Sequence, residues 1–277
     1  MEKIYRVNMT DQTVTVEPVP DRYRLLGGRG LIMQILNEEV DPTCHPLGPN
    51  NKLIIATGLL NGTVAPSAGR ISVGAKSPLT NGVKESNAGG ATGHMLGRMG
   101  IKAIIIEGKP QVGPDEFFIL RVTPFGIEIF PAPEEIIGKG CYETGRYCKQ
   151  KYGKSHTASV MTIGQAGEMQ AQAACISLTN MEGDTSRQCG RGGMGCVMGS
   201  KKIKAIVIDS MGVNHVKYAD PERFRQVAYK LGKTLMVAGK GLNMFGTDAL
   251  VTPVNKVGAL PVRNFSAGQY ADFEKVT

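Results

Sequence analysis

The most chemically suggestive residues in this 277-residue sequence are two glycine runs, each standing just ahead of a short helical pattern. Asn87-Ala88-Gly89-Gly90 precedes one, and Arg187-Gln188-Cys189-Gly190-Arg191-Gly192-Gly193 precedes the other. Glycines in such a place let several backbone N–H groups aim at one spot, where the helix dipole also favours an anion such as phosphate. The second run adds two guanidiniums, which grip oxyanions through paired bonds. Either run alone reads better as close helix–sheet packing, but two runs, one with paired arginines, point to anion binding. Neither ends in Gly-Lys-Ser/Thr or shows G-x-G-x-x-G spacing with a downstream acid, so ordinary mononucleotide and dinucleotide sites fit poorly. Arg70 closes Ala65-Pro-Ser-Ala-Gly69 at a loop-to-strand junction, where a side chain can be aimed into a site, although solvation is the default for one arginine.

The remaining reactive residue types form no recognisable centre. Cys141 and Cys148, like Cys189 and Cys196, are separated by six residues, which matches neither zinc nor ordinary iron–sulfur ligation. His45, His94, His156 and His215 are scattered without H-E-x-x-H or a paired acid, and each reads as an isolated structural histidine. The sequence offers no convincing general base or nucleophile.

The elements that must hold these residues follow from periodicity. A hairpin is expected over Ile4–Val7 and Val14–Val16, then a helix from about Asp21 that is interrupted by Gly27-Gly28-Arg29-Gly30. Strands are expected at Lys52–Thr57, Arg70–Ala75, Ile101–Glu107, Phe117–Val122, Ile127–Phe130, Ala158–Ile163, Ala171–Leu178 and Ile203–Asp209, with a helix from about Glu134 to Tyr152. Beyond Val213 only helices are expected, at Asp220–Lys240 and Gly246–Val257. The chain also repeats itself. Gly89-Gly-Ala-Thr-Gly-His-Met-Leu-Gly-Arg-Met-Gly-Ile101-Lys-Ala-Ile matches Gly192-Gly-Met-Gly-Cys-Val-Met-Gly-Ser-Lys-Lys-Ile203-Lys-Ala-Ile, and Leu-Thr-Asn stands upstream of both. The expected fold is therefore α+β: a duplicated two-sheet domain over residues 1–210, followed by the start of an α-helical domain over 211–277.

Composition narrows the class. The chain is 42% hydrophobic and 20% charged and has no apolar run long enough for a membrane span, so a soluble globular protein is expected. The amino terminus lacks the basic patch and apolar stretch of a signal peptide, and six cysteines are too few for a disulfide scaffold, so a reduced, cytoplasmic setting is expected. The net charge of +8 suits phosphorylated partners. Nucleic acid ranks last, because Lys201-Lys202-Ile-Lys204 is the one basic cluster and Trp is absent.

Asn51-Lys-Leu-Ile-Ile-Ala-Thr-Gly58, Ala65-Pro-Ser-Ala-Gly-Arg70, Ala75-Lys-Ser-Pro-Leu-Thr80, Ser86-Asn-Ala-Gly-Gly90, Ile104-Ile-Ile-Glu-Gly-Lys109 and Gly190-Arg-Gly-Gly-Met-Gly-Cys-Val-Met-Gly-Ser-Lys201 together resemble the aldehyde ferredoxin oxidoreductases. Gly246-Thr-Asp-Ala-Leu250 and Pro261-Val-Arg-Asn-Phe265 carry the likeness on, so it covers nearly the whole chain.

The resemblance implies a two-sheet base on which a tungsten or molybdenum ion rests, held by two pyranopterins whose phosphates share magnesium. Carried over by motif, Arg70, Asn87, Gly89, Arg187, Gln188 and Gly190 are expected to face the pterins, with the backbone carbonyls of Asn87 and Gln188 near magnesium. Gly58-Leu-Leu-Asn-Gly62 departs from the family's Gly-Pro-Leu-Thr-Gly, and Gln188 stands where a small residue is usual. The family's 4Fe–4S ligands would lie beyond Thr277, so the chain reads as a fragment that needs a missing C-terminal half. The function implied is the N-terminal part of an enzyme oxidising aldehydes to carboxylic acids, with ferredoxin or an iron–sulfur subunit taking the electrons and a homodimer allowed. The alternative is a non-catalytic module that binds a pterin or another polyphosphate.

Overall fold

The computed structural model describes residues 2–153 and 157–276. His156 and the adjoining Lys154 and Ser155 lie outside the described residues. The chain divides into two compact units, Met1–Lys217 and Tyr218–Thr277.

In chain order, the first unit begins β1 (Lys3–Asn8), β2 (Thr13–Pro18), α1 (Gly28–Glu39), β3 (Leu53–Thr57), β4 (Ile71–Lys76), β5 (Val83–Ala88), α2 (Thr92–Arg98) and β6 (Ile101–Glu107). It continues β7 (Phe118–Thr123), β8 (Gly126–Pro131), α3 (Cys141–Tyr152), β9 (Ala158–Thr162), α4 (Gln165–Glu168), β10 (Ile176–Leu178), β11 (Arg187–Cys189), α5 (Met194–Ser200) and β12 (Ile203–Asp209).

Two six-stranded sheets result, ordered β2-β1-β6-β3-β4-β5 and β8-β7-β12-β9-β10-β11. Adding six to each strand number of the first sheet gives the second, and the one parallel pair falls in the same place in each, β1 with β6 and β7 with β12. The duplication therefore extends upstream of the glycine turns that suggested it, taking in the hairpin and the outer helix of each half.

The layering follows from which faces are apolar. Along β6, Ile104 and Ile106 point inward to a core shared with Leu120, Met161, Ile206 and Ile208 of the second sheet, while Ala103 and Ile105 point outward against Leu31, Ile32 and Ile35 of α1. Covered on both faces, such strands read as unbroken apolar runs. The outer face of the second sheet is covered in the same way by α3, where Cys148 meets Val160 and Val207. Helices α2 and α5 lie between the sheets. Close approach there needs glycine, since a Cβ at Gly97 would stand 2.4 Å from the Asn61 carbonyl oxygen and one at Gly199 would stand 1.9 Å from that of Gly167.

Several expected elements change in extent. The helix expected from Asp21 is a 3-10 turn, Asp21–Tyr23, and α1 starts only at Gly28, because Gly27 is extended at φ −157 and ψ 163. The helix expected over Glu134–Tyr152 splits into a 3-10 turn, Glu134–Ile136, and α3. The strand expected over Ala171–Leu178 shrinks to β10, and the edge strands β5 and β11 replace what read as loop.

The second unit is helical: α6 (Pro221–Ala238), α7 (Lys240–Phe245), a 3-10 segment Gly246–Leu250 in place of the helix expected there, and α8 (Val251–Lys256). Asp220 caps α6, accepting from the Arg223 N–H at 2.9 Å with Pro221 following. None of the described helices is long and apolar enough to cross a membrane.

Candidate cofactor-binding site

Edge strands β5 and β11 run to the same region, and the sulfur of Cys189 donates to the carbonyl of Ser86. The duplication makes two half-sites. In the first, Asn87 faces Ser72 across the β4–β5 ladder, and its Nδ2 donates to Ser72 Oγ at 3.1 Å. In the second, Gln188 faces Ser177, whose Oγ donates to Gln188 Oε1 at 2.8 Å. One step further along, Arg70 Nε donates to Asn87 Oδ1, whereas Cys175 Sγ donates to Gln188 Oε1 at 2.9 Å. Cys175 therefore stands where the second half would otherwise present a counterpart of Arg70.

Arg70 is exposed yet held in place. Its Nη2 donates to the Asn87 carbonyl at 3.1 Å, and Nη1 lies 3.6 Å from where a Cβ on Gly89 would sit. Neither Arg70 nor Arg187 meets a carboxylate among the salt bridges of the described residues, so both guanidiniums keep capacity for an outside anion. They line one cleft of about 410 Å³ with Ser67, Gly69, Gly89, Gly90, His94 and Met181. On the other side of Arg70 a second cleft, of about 670 Å³, runs over Asn87, Ser72 and the Gly27-Gly28 start of α1. Both volumes fall in the range of small-molecule sites.

Of the six residues singled out from the sequence, Arg70, Gly89 and Arg187 share the smaller cleft and Asn87 lines the larger. Gln188 and Gly190 are exposed on and just after β11 but line neither cleft. The glycine pairs do less for anions than their spacing suggested. Helices α2 and α5 have seven residues each, too short for much of a dipole, and α5 is buried throughout. Gly90 packs on the Thr179 carbonyl and Gly193 on that of Gln172, so these two serve packing. Ser72, Ser177, Cys175 and His94 were not marked by spacing, because only the strand register and the seating of α2 bring them to the site.

Burial pushes the thiols of Cys148 and Cys189 up to about 12, which removes them as thiolate nucleophiles near neutrality. Among the described residues no group of three His, Cys, Asp or Glu could hold a metal ion. The basic cluster is not a surface: Lys201, Lys202 and Lys204 are buried, with their ammoniums donating to backbone carbonyls of Asn51, Gly113 and Lys139.

Such a fold and cleft define a class: a duplicated α+β base that brings two guanidiniums to one cleft. The chain belongs to the aldehyde ferredoxin oxidoreductase family, whose N-terminal domain profile matches residues 4–210. It is 40% identical over 273 residues to the tungsten-containing aldehyde ferredoxin oxidoreductase of Pyrococcus abyssi, and 39% identical to that of Pyrococcus furiosus. Each alignment covers 97% of this chain and 43% of the relative, so the chain spans under half the length of these relatives. Among solved structures, the active-site complex BamBC of benzoyl coenzyme A reductase, bound to 1,5-dienoyl-CoA, superposes with a TM-score of 0.76 at 30% identity, covering 84% of this chain and 34% of that one.

Proposed function

We propose that this chain is the cofactor-bearing base of an oxidoreductase that converts an aldehyde and water to a carboxylic acid. The observation that supports the reading most is that Arg70 and Arg187, which meet no carboxylate among the described residues, line one cleft between the two half-sites. A bis-pyranopterin carrying tungsten or molybdenum suits that donor set, because its two phosphates need cations and its fused rings need a groove without bulky side chains, which Gly89 beside Arg70 leaves open. When bound, such a group supplies the two-electron chemistry that no side chain of this chain provides.

The residues' own tasks are binding and orientation. Arg70, braced on Asn87, offers a guanidinium in fixed orientation, whereas Arg187 on the edge strand β11 is free to adjust. Ser72 and Ser177 hold Asn87 and Gln188, whose backbone carbonyls are the proposed magnesium contacts. In this reading the electrons would leave for ferredoxin or an iron–sulfur subunit, by way of a 4Fe–4S cluster whose ligands this chain would not supply.

The test is tungsten, molybdenum and iron content by mass spectrometry on the assembled enzyme purified without oxygen. Arg187→Ala is expected to lose most of the metal, since a charge-assisted bond to phosphate contributes roughly 1.5–3 kcal/mol. Arg187→Lys is expected to recover part of it, because an ammonium keeps the charge without the planar fork. Exposed Arg146 serves as the control through Arg146→Ala. Unchanged metal in Arg187→Ala removes that residue from the site. Wild-type protein that binds a polyphosphate but contains no tungsten or molybdenum favours the non-catalytic module instead.

A further inference from the structure

We propose that His94 is a further ligand-binding residue of the Arg70–Arg187 cleft, its Nε2–H donating to an oxygen of the phosphorylated ligand held there. The inference rests on the reading of this cleft as an anion site.

Three observations converge on the ring. His94 sits on α2 and lines the cleft beside Arg70, Gly89, Gly90 and Arg187. Gly69 makes room for it, since a Cβ there would stand 2.6 Å from His94 Cδ2 and 2.7 Å from Nε2. On the opposite edge of the ring, the backbone N–H of Gly62 donates to Nδ1 at 3.3 Å.

That last contact assigns the proton. A nitrogen that accepts carries no hydrogen, so the neutral ring must hold its proton on Nε2, on the side of Gly69 and the cleft. The ring is kept neutral by its surroundings: burial and the neighbouring Arg98 both hold its pKa below the ordinary value of 6.5. Arg70 and Arg187 are the charged residues that line the cleft with it, and no carboxylate does. Among the described residues nothing accepts from Nε2–H. Nε2–H is not among the fully buried donors left without a partner, so it is open to the cleft, where a ligand oxygen can replace water as its acceptor. Beside two guanidiniums, a neutral donor adds a directional bond without adding like-charge repulsion.

The full 277-residue chain, labelled with nitrogen-15 in its four histidines, supplies the test, with inorganic pyrophosphate as the probe. Two-bond proton–nitrogen correlations near pH 7.5 should show His94 protonated at Nε2 only, and pyrophosphate should shift that proton. By calorimetry, His94→Phe should weaken pyrophosphate binding about three- to tenfold, the usual loss for one neutral hydrogen bond. His94→Gln, which keeps an amide donor near the place of Nε2, should recover most of the loss, as a purely packing role would not require. A proton on Nδ1, or an imidazolium, in the wild-type chain overturns the proposal whether or not the variants fold. So does wild-type affinity in His94→Phe when Arg187→Ala binds weakly. If Arg70→Ala and Arg187→Ala both bind pyrophosphate as wild type does, the reading of the cleft falls, and this inference with it.

Discussion

Lys102 and Lys204 occupy the same place in the two halves of the duplicated domain: each is the extra residue of a bulge in the single parallel strand pair, and each ammonium reaches the segment leading into the outer helix. In β6 the register steps from Ile101 to Ala103 opposite Lys3 and Ile4, and in β12 from Ile203 to Ala205 opposite Phe118 and Ile119. Lys102 donates to the Arg24 carbonyl ahead of α1, and Lys204 to the Lys139 carbonyl ahead of α3. A bulge re-aims one side chain out of the alternation, which here threads a long cation past an apolar face to carbonyls that lack ladder partners. The start of α1, which lines the larger cleft, is fixed in this way.

The two lysines should differ in what they contribute to stability. Lys204 pairs with Glu168, whose side chain is only 10% exposed, while the partner of Lys102 is Glu2 at 51%. Removing one member of a buried pair leaves an uncompensated charge, which typically costs about 3–5 kcal/mol. Lys204→Met should therefore lower stability in urea by about that much, with Lys204→Met/Glu168→Gln recovering a good part. Lys102→Met should cost clearly less, since Glu2 stays hydrated. Equal losses in the two single variants would show that the bulge geometry, not the ion pair, sets the cost.

Lys201 gives a pH signature. Its ammonium is buried and donates to the carbonyls of Asn51 and Gly108 at 2.6 and 3.0 Å, with no carboxylate in contact among the described residues, and burial brings its pKa down to about 7 from 10.5. Between those two values the unfolded chain binds more protons at this residue than the folded one, so its contribution to stability rises with pH across about 7 to 10.5 and is flat below. Lys201→Met lacks the titrating group. The wild-type-minus-variant difference in unfolding free energy should therefore grow in favour of wild type from pH 7 to 10. A flat difference would place an ion or a carboxylate beside Lys201.

Much of the layering was legible because strands buried on both faces, such as Ile101–Glu107 and Ile203–Asp209, announce themselves as apolar runs, and their repeated context exposed the duplication. Edge strands hid themselves. Val83-Lys-Glu-Ser-Asn-Ala88 and Arg187-Gln-Cys189 carry polar side chains suited to a rim, so nothing in their pattern separates them from loop. Arg70 and Arg187 could be picked out by type and position, whereas His94 could not, since its role depends on Gly69 and Gly62 meeting it from distant parts of the chain. The burial of Lys204 was not legible either, since the bulge that turns it inward is invisible to a period-two pattern.

The second unit exposes large apolar side chains, among them Met236, Val237, Leu242, Met244 and Phe245. If they form one contiguous patch, that patch marks an interaction face. The 277-residue chain should sediment as a concentration-dependent oligomer, and Met236→Glu with Phe245→Glu should shift it towards monomer. A stable monomer at all concentrations tested would mean that these side chains are not contiguous in solution.

Gly90 and Gly190 separate packing from ligand approach. Gly90 has φ +127, and a Cβ there would stand 2.3 Å from the Thr179 carbonyl oxygen, which itself accepts from the Ala91 N–H at 3.1 Å. Gly90→Ala must push apart the contact between α2 and the segment after β10, and a strained left-handed residue plus overpacking costs roughly 2–5 kcal/mol. Gly190 is different, because a Cβ there meets nothing nearer than Gln188 Cβ at 3.9 Å and its backbone lies in the range any residue adopts. Gly190→Ala should unfold within about 0.5 kcal/mol of wild type. If the backbone at Gly190 faces a cofactor, the same methyl group should lower metal content in the assembled enzyme while the melting temperature hardly moves. Normal metal content in a normally stable Gly190→Ala would take Gly190 out of the binding surface and leave the Arg70–Arg187 cleft as the whole of it.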